Sequence, residues 1–80
     1  MTIPKDVSGQ DLIKALKKLD YKVTRQTGSH VRLTSILNGE HHITIPNHNP
    51  IKVGTLNSII NDIADHKKID KATLVNKLFK

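Results

Sequence analysis

Apolar positions along this chain change period twice, and the changes divide it into elements. From residue 9 to about 19, Leu12, Ile13, Leu16 and Leu19 recur at helical spacing while Lys14, Lys17 and Lys18 fall away from them, so the pattern predicts an amphipathic helix. Ser8 and Asp11 have the spacing of a capping box, and Val7 is placed to pack on Leu12 as a hydrophobic staple. The period then drops to two. "YKVTRQT", "HVRLTSIL" and "EHHITI" each alternate, separated by Gly28-Ser29 and Asn38-Gly39, which predicts three short strands in consecutive hairpins. Pro46 ends the third, and "PNHNP" reads as a loop because neither proline has an N–H to give. Helical spacing returns with Leu56, Ile59, Ile60 and Ile63, in a helix beginning near Gly54-Thr55. In "IDKATLVNKLF", Asp70 as N-cap, with Ile69 and Leu74 placed for a staple, predicts a short closing helix.

The expected fold is therefore α+β, in the order α-β-β-β-α with an extra C-terminal helix. A three-stranded antiparallel sheet with helices on one face is the plan of double-stranded RNA-binding domains. Alternation assigns Val23, Val31, Leu33, Leu37, Ile43 and Ile45 to the covered face. Lys22, Thr24, Gln26, His30, Arg32, Thr34, His42 and Thr44 then share the open face, which is polar, cationic and carries two imidazoles. His41 alternates toward the covered side near an edge, as a structural residue, and His66 reads as a solvated surface side chain.

Composition narrows the chemistry. Eighty residues predict one domain, 1–80, too small for a deep cleft. Lys and Arg number 13 against 7 Asp and Glu, a formal charge of +6 that makes a polyanion the expected partner. Apolar runs are only a few residues long and "MTIPKDVSGQ" lacks the apolar core of a signal peptide, so the expectation is a cytoplasmic protein acting on nucleic acid, with no membrane. The absence of Cys removes thiol catalysis, disulfides and thiolate zinc sites. With Tyr21 and Phe79 as the only aromatics, bases have no platform to stack on, and RNA would be held through its backbone.

The stretch "QTGSHVRLT" carries the sharpest chemical possibility. Gly28 and Ser29 let backbone approach a ligand closely, His30 follows at once, and Arg32 projects two residues later from the same face to hold a phosphate. An imidazole titrates near neutral pH, so it can take the proton of an RNA 2′-OH beside the scissile phosphate while a cation stabilises charge on the phosphoryl oxygens. That scheme needs no metal and no cofactor. A non-catalytic double-stranded-RNA-binding module would share the fold and charge and differ only in not needing His30. A metal site built from His30, His42 and His48 is disfavoured, since no pair has the spacing of HExxH and the only Glu is Glu40. Lys22, Arg25 and Lys52 are further candidates for RNA phosphate, Lys52 beside a helix N-terminus that already attracts anions. Lys14, Lys17 and Lys18 are equally open to being a solvated helix face. His48 admits two readings, a second proton-transfer or phosphate group and a loop-stabilising side chain; His42 shares the His30 face and is a weaker RNA candidate.

"SGQDLIKALKKLDYKVTRQTGSHVRLT" and "HHITIPNHNPIKVGTLNSIINDI" together resemble the HicA family of bacterial HicA/HicB toxin-antitoxin pairs. The ordered landmarks are Gly28-Ser29-His30, Ile45-Pro46-Asn47-His48 and Gly54-Thr55-Leu56. The resemblance implies a ribonuclease toxin that cleaves mRNA, a double-stranded-RNA-binding-domain-like fold, a catalytic histidine at His30, and inhibition by a HicB-like antitoxin, expected to cover the His30 face. It departs from the family at Asp20-Tyr21, where a Gly and an aromatic are usual, and in the C-terminal "KKIDKATLVNKLFK".

Overall fold

The structure, a computed structural model, describes residues 4–37 and 39–79. The first helix, α1 (Gly9–Lys17), begins at a formed capping box: the Ser8 hydroxyl accepts the Asp11 N–H at 3.0 Å and the Asp11 carboxylate accepts the Ser8 N–H at 3.3 Å. Val7 is buried beside fully buried Leu12, as the staple requires. Regular helix stops at Lys17, two residues short of the expected end. Asp20 takes a left-handed φ of 65°, the Tyr21 N–H reaches back to the Leu16 carbonyl at 3.2 Å and the Asp20 N–H to that of Lys17 at 3.4 Å. These two bonds make a Schellman ending with Asp, a residue that tolerates this conformation, where Gly is usual.

Strands β1 (Lys22–Thr27), β2 (His30–Ser35) and β3 (His41–Pro46) form an antiparallel sheet in the order β1-β2-β3. Thr27 pairs with His30, so Gly28-Ser29 is a two-residue hairpin loop, and the φ of 57° at Gly28 is what a turn with Gly at its first central position requires. Asn38, half of the second expected turn, lies outside the described residues.

Two helices follow, α2 (Val53–Lys67) and α3 (Lys71–Phe79). The Asp70 carboxylate accepts the N–H and the hydroxyl of Thr73, both at 2.8 Å, bonds that hold its pKa below the usual carboxylate value and cap α3 as expected. Helices α1 and α2 pack on the sheet, whereas α3 lies against α1 and α2 and bridges them. Leu12, Leu16, Leu33, Ile45, Leu56, Ile60, Ile63, Leu74 and Leu78 are fully enclosed between these layers. No described helix is long and apolar enough to cross a membrane.

Three expectations about the sheet are corrected. Val23, assigned to the covered face, is 44% exposed, because β1 is an edge strand and all six of its residues reach solvent. Leu37 is 50% exposed because β2 ends at Ser35, and Ser35 fills the last buried slot of the ladder. A β-bulge between Val23 and Arg25 breaks the alternation: beyond it Arg25 opposes Arg32 and Gln26 opposes buried Val31. Gln26 is thereby moved off the open face, and Arg25 is moved onto it.

Candidate active site

The end of the sheet where β1 turns into β2 is also where β3 stops, since Pro46 lies opposite His30. The chain after Pro46 is tied down by main-chain bonds to two different neighbours. The Asn47 N–H donates to the Ser29 carbonyl at 2.6 Å, the Gly9 N–H to the His48 carbonyl at 2.8 Å, and the Ile51 N–H to the Val7 carbonyl at 2.7 Å. Such an approach is open only to glycine at position 9, where a Cβ would stand 2.6 Å from the Asn47 Cα. The start of α1, the hairpin loop and the post-β3 loop therefore form one braced unit, from which His30 and His48 both emerge exposed.

The five histidines separate by their partners. His41 Nδ1 lies 2.7 Å from the Tyr21 hydroxyl and its Nε2 lies 3.3 Å from an Asp62 carboxylate oxygen, while its ring stacks on His66 at 4.2 Å between centroids. His66 is thus a half-buried packing residue and not the surface side chain expected; its Nε2 is buried with no hydrogen-bond partner among the described residues. Burial, with the Asp62 charge adding to it, pushes the Tyr21 phenol up to about 12. His42 is held at both nitrogens, by the Thr34 hydroxyl at 2.7 Å and the Glu40 carboxylate at 2.7 Å, and Thr34 continues the chain to the Thr24 hydroxyl at 3.0 Å. His30 and His48 alone have exposed rings engaged in no hydrogen bond or ion pair among the described residues.

The sheet register sorts the other candidates. Thr27, His30 and Pro46 form the rung nearest the hairpin, and Arg25, Arg32 and Thr44 form the next one on the same face. Lys22, Thr34 and His42 form the third, about 13 Å from His30 at the usual rise per residue. His30, Arg32 and Arg25 are accordingly brought together, with Gly28 and Ser29 at their edge, while His42 and Lys22 stand apart. Two Cα steps separate His48 from Pro46, which puts it within about 13 Å of His30 by backbone geometry. Lys52 is the N-cap of α2, whose first turn carries no side-chain cap and no acidic residue, so its N–H groups favour an anion beside the lysine. No group of three His, Cys, Asp or Glu side chains among the described residues has the arrangement of a metal site.

Sequence patterns gave neither Gly9 nor Asn47 a bracing role; a Gly directly after the N-cap Ser8 was the one local hint of a close approach. The set can bind a phosphate through Arg25 and Arg32 and move a proton through an imidazole at the hairpin. A family model described as HicA toxin of bacterial toxin-antitoxin matches residues 9–65. The match runs from the first residue of α1 into α2 and leaves α3 outside it. Among curated proteins and solved structures, no match was found.

Proposed function

The chain belongs to the HicA toxin family of bacterial toxin-antitoxin systems, and on that premise we propose that it is an endoribonuclease that cleaves mRNA in the cytoplasm without a metal ion. His30 takes the proton of the 2′-OH next to the scissile phosphate, and the oxygen attacks phosphorus. The P–O bond to the 5′-oxygen breaks, leaving a 2′,3′-cyclic phosphate on one fragment and, once the departing oxygen is protonated, a 5′-OH on the other. His48 is the candidate donor of that proton. Arg32 and Arg25 balance the charge that builds on the phosphoryl oxygens, and Lys22, Lys52 and the Gly28-Ser29 backbone hold the strand on either side. His42, held at both nitrogens, contributes at most to the surface RNA runs over. The antitoxin, HicB-like by family, silences the enzyme by covering the His30 face with acidic groups that meet Arg32.

One observation supports this reading above the others: His30 leaves its braced hairpin exposed and unengaged, one rung from two arginines, where His41 and His42 are tied at both nitrogens. Acid-base assistance of this kind contributes roughly 10²- to 10⁴-fold. Purified protein is expected to cut mRNA in EDTA, and His30→Ala to lower the rate by at least about 10²-fold with its melting temperature unchanged. Full activity in the variant would move the chemistry elsewhere; RNA binding with no cleavage by either protein would make this a binding module.

A further inference from the structure

At the other end of the sheet from His30, residues from the last turns of the three helices line one groove. Lys18 follows the end of α1, Lys67 closes α2, and Lys77 lies in the last turn of α3. These lysines rim a groove of about 240 Å³ floored by Leu19, Leu37 and Ile69, with Asp20 as the one acid among its described lining residues. We propose that this groove is a second docking point for the antitoxin, receiving an acidic segment that inserts one aliphatic side chain; the inference rests on the toxin-antitoxin assignment and not on the ribonuclease chemistry.

Charge and shape both point to that occupant. A helix C-terminus supplies roughly half a negative charge. Even with such charge at the ends of α1 and α2, Asp20 does not cancel Lys18, Lys67 and Lys77 along the groove. The surplus calls for an acidic partner. The floor is aliphatic, no aromatic residue is among the described lining, and Tyr21, whose ring centroid lies 5.4 Å from the Lys67 ammonium, is buried. A nucleic acid therefore finds phosphate contacts here but nothing for a base to stack on, whereas an acidic peptide with a leucine-like anchor satisfies rim and floor together. The space is below the roughly 300–1,000 Å³ of sites that enclose whole small ligands, and suits a side chain.

The groove also reaches past the family match. Lys67, Ile69 and Lys77 lie beyond residue 65, where the family match ends, so the end of α2, the turn after it and α3 supply groove residues outside that match. Six-residue strands put it about 20 Å from the His30 hairpin. An antitoxin held at both ends gains affinity through the tether and can keep its grip on the groove while the RNA face is exposed.

The test is titration of the purified antitoxin into the full chain and into Leu37→Ser/Lys77→Glu, with RNA cleavage assayed in parallel. The double variant is expected to bind antitoxin at least about tenfold more weakly, as loss of an anchor and a rim charge does, and to treat RNA as the parent does. Lys77→Glu alone, at an exposed position, repeats the test if the double variant melts early. Unchanged antitoxin affinity overturns the proposal, and so does a loss of RNA binding that accompanies the change. Failure of the ribonuclease reading would appear instead as no cleavage by the parent protein, with the antitoxin titration still decisive.

Discussion

His30 and His41 are the same residue type on neighbouring strands, and their surroundings differ completely. His41 is fixed between Tyr21 and Asp62 and packed on His66, so it joins the end of α1, β3 and α2 through hydrogen bonds and stacking. His30 has solvent on its exposed face and no fixed partner, as a proton carrier for an incoming substrate needs. The Tyr21 phenol offers a direct check on the buried cluster, because it is the only tyrosine and there is no tryptophan. Its absorbance should report ionisation near pH 12 in the folded protein and near the ordinary value of 10 once unfolded. The sign of the linkage follows. The neutral phenol is favoured in the fold, so its stabilising contribution is whole below pH 10 and is lost as pH rises from 10 toward 12. A single ionisation near 10 in the folded state would mean the hydroxyl is not enclosed.

Among the elements, the ones announced by local chemistry were legible in the sequence. Ser8 with Asp11 and Asp70 with Thr73 cap α1 and α3 through bonds spanning only three residues, and local patterns of that length are readable without knowing the fold. The bulge in β1 was not legible, since "KVTRQT" alternates equally well without it and only pairing with β2 selects it. The same holds for His66, whose burial depends on β3 crossing α2, and for Leu37, left outside by where β2 ends. The open-face trio was legible in part: His30 and Arg32 follow from alternation, whereas Arg25 arrives there through the bulge. Bracing of the site by Gly9 was invisible for a related reason, as its contact lies almost forty residues away. Gly9→Ala should therefore destabilise the protein by about 1–3 kcal/mol, the usual cost of forcing a methyl group into filled space. It should also slow RNA cleavage by displacing the loop that carries His48. A denaturant melt with the parent's midpoint would show that the α1 start and the Asn47 backbone are not in contact.

At the scale of the molecule, a net charge of +6 includes cationic groups at both ends of the sheet, to which the two proposals assign different tasks. The hairpin end has Arg25 and Arg32 one rung from His30, and the opposite end has lysines around an aliphatic groove. If the first set holds single-stranded RNA by its phosphates, the logarithm of affinity should fall linearly with that of salt, by about 0.7 for each phosphate contact. Arg25→Ala should reduce that slope by about one contact while Lys77→Glu leaves it unchanged. Equal slopes for Arg25→Ala and the parent would mean the bulge does not bring Arg25 to the strand.

The central claim, that His30 activates a 2′-hydroxyl on the strand being cut, is tested most directly with two RNA oligonucleotides that differ only by a 2′-deoxy sugar at the cleavage position. The all-ribose strand should be cut in EDTA to fragments ending in a 2′,3′-cyclic phosphate and a 5′-hydroxyl, while the deoxy-substituted strand is bound as tightly and left intact at that position. Cleavage of both strands at the same bond would contradict the account.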